Sequence, residues 1–199
     1  MESVRVTERP TEALEQQRRI EGFAFFALFA LTIPAANWLV GHLGTSCVAP
    51  QGPCLLPVAP GLLAPSGVMM VGAALVLRDL LQRRLGIGVS AFAILVGSAL
   101  SALFAPPSLV VASASAFLLS EFADLAVYTP LARRRLVTAV VASSFAGLVV
   151  DSIVFLYVAF GSLEFLGGQI VGKAWMVLLS IPFLAWLRRR DARLGIRPA

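Results

Sequence analysis

Six apolar runs, separated by short polar segments, set the pattern of this chain. They extend over 22–40, 61–81, 87–105, 109–131, 136–160 and 168–187. Each holds roughly the 17–25 residues that a helix needs to cross about 30 Å of hydrocarbon. The pattern predicts an all-α integral membrane protein with six transmembrane helices. Before the first run, residues 1–20 are polar, with Pro10 and Thr11 placed to open a short helix over Glu12–Ile20. Pro34 is expected to break the first run. The stretch from His42 to Pro60 is rich in Pro and Gly and reads as a loop. The organisation is thus an N-terminal segment over 1–20, a transmembrane domain over 21–187 and a basic tail over 188–199. A long polar leader containing acids fits a cleaved signal peptide poorly.

Composition strengthens the membrane reading. Hydrophobic residues make up 58% and charged ones 14%, against roughly 45–50% and about 25% in soluble domains. A net charge of +5 would invite a nucleic-acid partner if the basic residues lay on one surface. Here they form short clusters at the ends of apolar runs, and a nucleic-acid partner is set aside. Their placement gives an orientation instead. All fifteen arginines fall before run one, after runs two, four and six, or, for Arg78, just inside run two. The loops after runs one, three and five contain no Lys or Arg. The positive-inside rule then puts both termini in the cytoplasm.

Charges inside the apolar runs carry the candidate chemistry. An acid at the centre of a transmembrane helix costs roughly 2.5–3.5 kcal/mol on insertion scales, so it is kept only with partners and usually with a task. Run four holds Glu121 and Asp124, which lie about 60° apart around a helix. Tyr128 and Phe117 return to the Glu121 side, giving a face of acid, acid, phenol and ring. Small residues recur every fourth position: Ala93, Gly97, Ser101 and Ala105; Ala112, Ala116 and Ser120; Ala139, Ser143 and Gly147. Such stripes allow close helix approach in lipid. In runs four and five they lead to Asp124 and Asp151, so both acids are expected to face other helices. Counting about 1.5 Å per residue from the inner arginines puts Asp151 at about 24 Å and Lys173 at about 22 Å, a depth at which they can pair. Arg78 is placed either to reach Asp124 or to snorkel to the inner surface. The bland alternative is that these groups are ion pairs that only hold the bundle together.

Other chemistry is thin. Cys47 and Cys54 share the outward loop, where a small disulfide and two free thiols are both open. His42 is the one histidine and has no acid nearby, so no metal site is expected. Gly167 to Ala174 matches G-x-x-x-x-G-K, but Ala174 stands where a Ser or Thr would hold Mg²⁺. No HExxH, G-x-S-x-G or Cys–His arrangement points to an enzyme. No catalytic residue and no cofactor are expected.

Four stretches resemble a known family: Pro65–Leu80 (PSGVMMVGAALVLRDL), Phe117–Leu131 (FLLSEFADLAVYTPL), Gly147–Leu163 (GLVVDSIVFLYVAFGSL) and Gly168–Trp175 (GQIVGKAW). They are similar to the queuosine precursor transporter family, also called the vitamin-uptake-transporter-like family. The resemblance implies a bacterial inner-membrane, multi-pass protein that imports 7-deazaguanines such as preQ0 and preQ1, working as a secondary transporter. The matching positions are Arg78, Asp79, Glu121, Asp124, Tyr128, Asp151, Gln169 and Lys173. With Phe117 added and Asp79 left aside, these are the candidate substrate-binding residues. One carboxylate can accept the N–H and the exocyclic amine of a deazaguanine as a pair, and Glu121 or Asp124 is expected to do so. Phe117, Tyr128 or Trp175 would stack on the ring. Partners are then the small substrate and the lipid bilayer, with a homo-oligomer left open. Two competing readings are a substrate-binding membrane subunit of an ATP-driven vitamin importer and a membrane interaction protein that transports nothing.

Overall fold

The computed structural model describes residues 5–47, 54–132 and 135–196, with side chains from Glu12 onward. Helix α1 is Arg5–His42, followed by strands β1 (Ser46–Cys47), β2 (Cys54–Ala59) and β3 (Leu62–Pro65). Helices α2 (Val68–Leu85) and α3 (Ile87–Phe104) come next. A 3₁₀ turn at Pro107–Leu109 leads into α4 (Val110–Leu131), and then α5 (Leu136–Phe160) and α6 (Leu166–Leu194) complete the chain. Among the described residues, five helices are long and apolar enough to cross a membrane: α1, α3, α4, α5 and α6.

The sixth helix, α2, is different in kind. Its 18 residues include Arg78, Asp79, Arg83 and Arg84, and all four are buried. A helix so charged survives among apolar neighbours only if they hide its polar groups from lipid. Accordingly, α2 touches every one of the other five helices. The outer faces of those five carry large exposed apolar residues, among them Phe23, Leu31, Phe92, Leu103, Val111, Phe145, Tyr157 and Leu179. The small-residue stripes point inward as expected: Ala93, Ala112, Ala116, Ser120, Ala139 and Ser143 are all buried.

Three local expectations are corrected. First, α1 runs unbroken through Pro34 and absorbs the separate N-terminal helix. A proline in a helix between apolar neighbours removes one backbone bond, and nearby side chains such as Asn37, which donates to the Ile33 carbonyl at 3.0 Å, help hold the turn. Second, the expected loop and the start of run two fold into an antiparallel sheet of order β1-β2-β3. Pro57, Pro60 and Pro65 deny this stretch a helix, while Gly61 turns the chain between β2 and β3 at a positive φ of 73°. The sheet is tied down by Ser66 Oγ, which donates to the Leu39 carbonyl at 2.7 Å, and by the Trp175 indole, which donates to the Val58 carbonyl at 2.8 Å. Cys47 and Cys54, paired in register across β1 and β2, form a disulfide. Third, α6 continues past Leu187 to Leu194, so most of the expected tail is helix.

Close helix approach depends on Gly72, where an added Cβ would lie 2.5 Å from the Lys173 carbonyl oxygen on α6. Backbone cannot yield as a side chain would. Gly72→Ala should push α2 from α6 and lower stability by about 1–3 kcal/mol, as overpacking generally does. Thermal unfolding of the purified protein checks this, with Gly88→Ala as the control because its Cβ meets nothing within 4 Å. Equal melting temperatures for the two variants would contradict the packing argument.

Candidate substrate site

Arg78 is the hub of the bundle. Glu121, Asp124 and Tyr128 recur at spacings of three and four along α4, so one face of that helix presents them all to α2. From α2, Arg78 Nε donates to Glu121 Oε2 at 3.2 Å and Nη1 donates to Gln82 Oε1 at 2.9 Å. Its Nη2 contacts both Asp124 Oδ1 and, at 2.8 Å, Asp79 Oδ1. Ser143 of α5 donates to Asp79 Oδ2 at 2.7 Å. The guanidinium carbon lies 5.6 Å from the Tyr128 ring centre, within cation–π range. Arg78, Asp79, Asp124 and Tyr128 are all wholly buried. One guanidinium thus faces three carboxylates, and its planar fork of five donors is what allows it to reach them all.

A second ion pair lies nearer the sheet end of the bundle. Lys173 Nζ donates to Asp151 Oδ2 at 2.5 Å and to Ser152 Oγ at 2.8 Å. The pair joins α5 to α6, at the matched depth the residue count indicated.

Between these helices and the sheet lies a cavity of about 130 Å³. It is bounded by α1, the end of β3, α2, α3, α4, α5 and α6. Its walls are largely apolar, with Thr32, Asn37, Ser101 and Gln169 as polar points and Phe117 and Phe155 as aromatic faces. Asp151 is the one charged side chain among the described residues that line it. Of the eight candidate residues, Phe117, Asp151 and Gln169 line this cavity. Lys173 stands behind Asp151 as its partner. Arg78, Glu121, Asp124 and Tyr128 are brought together away from the lining, with Glu121 one helical turn beyond Phe117. Trp175 is turned to the sheet rather than to the cavity.

At the opposite end a latch joins three helices. Asp191 of α6 accepts from Arg83 at 2.9 and 3.1 Å and from Arg84 at 2.8 and 2.9 Å. Glu21 of α1 meets Arg84 at 2.9 Å and Arg190 at 2.5 Å. Sequence reasoning missed Glu21 and Asp191. The signal was there, since each is an isolated acid at the edge of an arginine cluster.

The family model described as "Putative vitamin uptake transporter" matches residues 68–187. That span opens on the first residue of α2 and closes within α6, taking in both ion-pair groups. No curated protein and no solved structure matches the chain.

Proposed function

Since the chain belongs to the vitamin uptake transporter family, we propose that it imports a 7-deazaguanine precursor of queuosine, such as preQ0 or preQ1, through a bacterial inner membrane. In this reading α2 is the sixth crossing, sheathed by the other five, and both termini are cytoplasmic. The sheet and its disulfide then face outward, and the cavity beside them opens towards the substrate. The Glu21–Arg84–Asp191 latch closes the cytoplasmic end.

The observation that carries this reading is a small cavity with aromatic faces and, among the described residues, one lining carboxylate. A planar base can stack on Phe117 or Phe155, as bases do on aromatic side chains generally. Asp151 can accept the ring N–H and the amine, a contact worth about 1–3 kcal/mol of discrimination in comparable base recognition. Lys173 holds that carboxylate in place, and Gln169 offers a donor and an acceptor beside it. Glu121 and Asp124, expected from the sequence to take the base edge, do not line the cavity, whereas Asp151 does. Asp151 is therefore assigned that role.

Two experiments test the proposal. In cells unable to make preQ0 and fed traces of it, the wild-type gene should restore queuosine in tRNA. Gln169→Leu should fail at normal membrane levels, and Asp151→Asn should fail as well. Full rescue by both variants would remove the site, and no rescue by the wild type would remove the function. For orientation, Cys47 is exposed while Cys54 is buried. After reduction, a thiol reagent that cannot membranes penetrate should label Cys47 from outside intact cells. Labelling confined to the cytoplasmic side would invert the topology.

A further inference from the structure

We propose that Asp79 and Asp124 form a buried carboxyl pair sharing one proton, and that this proton is the ion coupled to transport. The coupling half rests on the transport reading above; the shared proton does not.

Both carboxylates contact the same Arg78 nitrogen, Nη2, each through its Oδ1, so the two acids crowd around one donor. The second oxygen of Asp124, Oδ2, is buried and has no hydrogen-bond partner among the described residues. Such an oxygen is costly unless something satisfies it. A proton held between the two carboxyl groups does so, turning one acid into a donor for the other. Two carboxylates this close do not both ionise readily, which is how paired acids come to share one proton.

Charge around the pair leads to the same place. From α2, Arg78, Asp79 and Gln82 face it, with Arg83 a turn further on. From α4 come Glu121, Asp124 and Tyr128, and from α5 Ser143. Asp151 and Lys173 lie further away and neutralise each other. Helix α3 has no charged residue, and Glu21 of α1 is engaged by Arg84 and Arg190. Among the described residues, Arg78 therefore leaves two negative charges uncompensated around the pair, and one proton halves the excess. A metal cation is a poorer fit. It needs several oxygens to converge on it, and here they converge on a guanidinium that would repel it.

The position suits coupling. Asp124 lies two helical turns from Phe117 on the same helix, and Gly147 of α5 packs against Asp124 so closely that an added Cβ would lie 3.1 Å from its Cβ. Any shift of α4 as the cavity fills or empties would change the separation of Asp79 and Asp124, and with it their hold on the proton.

The test has two arms. Infrared spectra of the wild-type protein in lipid vesicles should show the carbonyl stretch of a protonated carboxyl group at pH 7. That band should be lost in Asp79→Asn and in Asp124→Asn, and kept in Glu164→Gln, whose acid is exposed. Absence of the band from the wild type, or its persistence in both Asp variants, would overturn the shared proton. In the second arm, proteoliposomes alkaline inside should accumulate labelled preQ0 by about tenfold per pH unit for one proton per substrate, and Asp79→Asn should lose that excess. Accumulation driven by a sodium gradient, or unaffected by pH, would overturn the coupling. Uptake absent under every gradient would contradict the transport reading, while the infrared arm still decides the proton pair.

Discussion

Arg78→Met should leave almost no folded protein in the membrane. The substitution keeps much of the side-chain volume and removes the one cation that Asp79, Glu121 and Asp124 share. Breaking a buried ion pair by removing one partner costs about 3–5 kcal/mol, because the other charge stays buried without compensation. Here all three acid residues lose their common cation, and a typical protein has only about 5–15 kcal/mol of stability in total. Arg78→Lys should be intermediate, since an ammonium keeps the charge but cannot fork to several acceptors in a plane. The yield of monodisperse protein after membrane extraction, with the melting temperature of what survives, measures the series. Wild-type yield from Arg78→Met would show that Arg78 is not the hub.

The second large effect concerns Lys173, which is buried with its ammonium against Asp151 and Ser152. Lys173→Gln and Asp151→Asn alone should each cost about 3–5 kcal/mol for the same reason. Combined, they leave two neutral amides that can bond to each other, so the double variant should be more stable than either single one. The coupling expected of residues in direct contact is about 0.5–3 kcal/mol. Thermal unfolding of the four proteins gives it directly. Strictly additive losses would mean that the pair contributes nothing as a pair.

Much of this arrangement was legible in the sequence because it depends on one-dimensional periodicities. Residues four apart share a helix face, which is why Ala112, Ala116 and Ser120 predicted the buried side of α4 and Ala139, Ser143 and Gly147 that of α5. Depth is also one-dimensional, and counting from the inner arginines matched Asp151 with Lys173. What could not be counted was the rotation of one helix relative to another. That rotation aims Arg78 at Glu121 and Asp124 and leaves Asp151 as the carboxylate at the cavity. The sheet was hidden for another reason. Leu55, Leu56, Val58, Leu62 and Leu63 are as apolar as a membrane run, so hydropathy merged β3 with the helix after it, and the prolines were the better guide. The length of α6 was misjudged because arginines usually mark the end of a membrane helix. Here Arg190 and Asp191 extend it to hold the latch on Glu21, Arg83 and Arg84.

If this cavity carries a deazaguanine across a membrane, the purified protein alone should suffice for the passage. Uptake of labelled preQ0 by the purified protein in liposomes, with no ion gradient imposed, tests it most directly. Saturable equilibration is expected, suppressed by excess unlabelled preQ0 or preQ1 and abolished by Asp151→Asn. Entry no faster than into protein-free liposomes would contradict it.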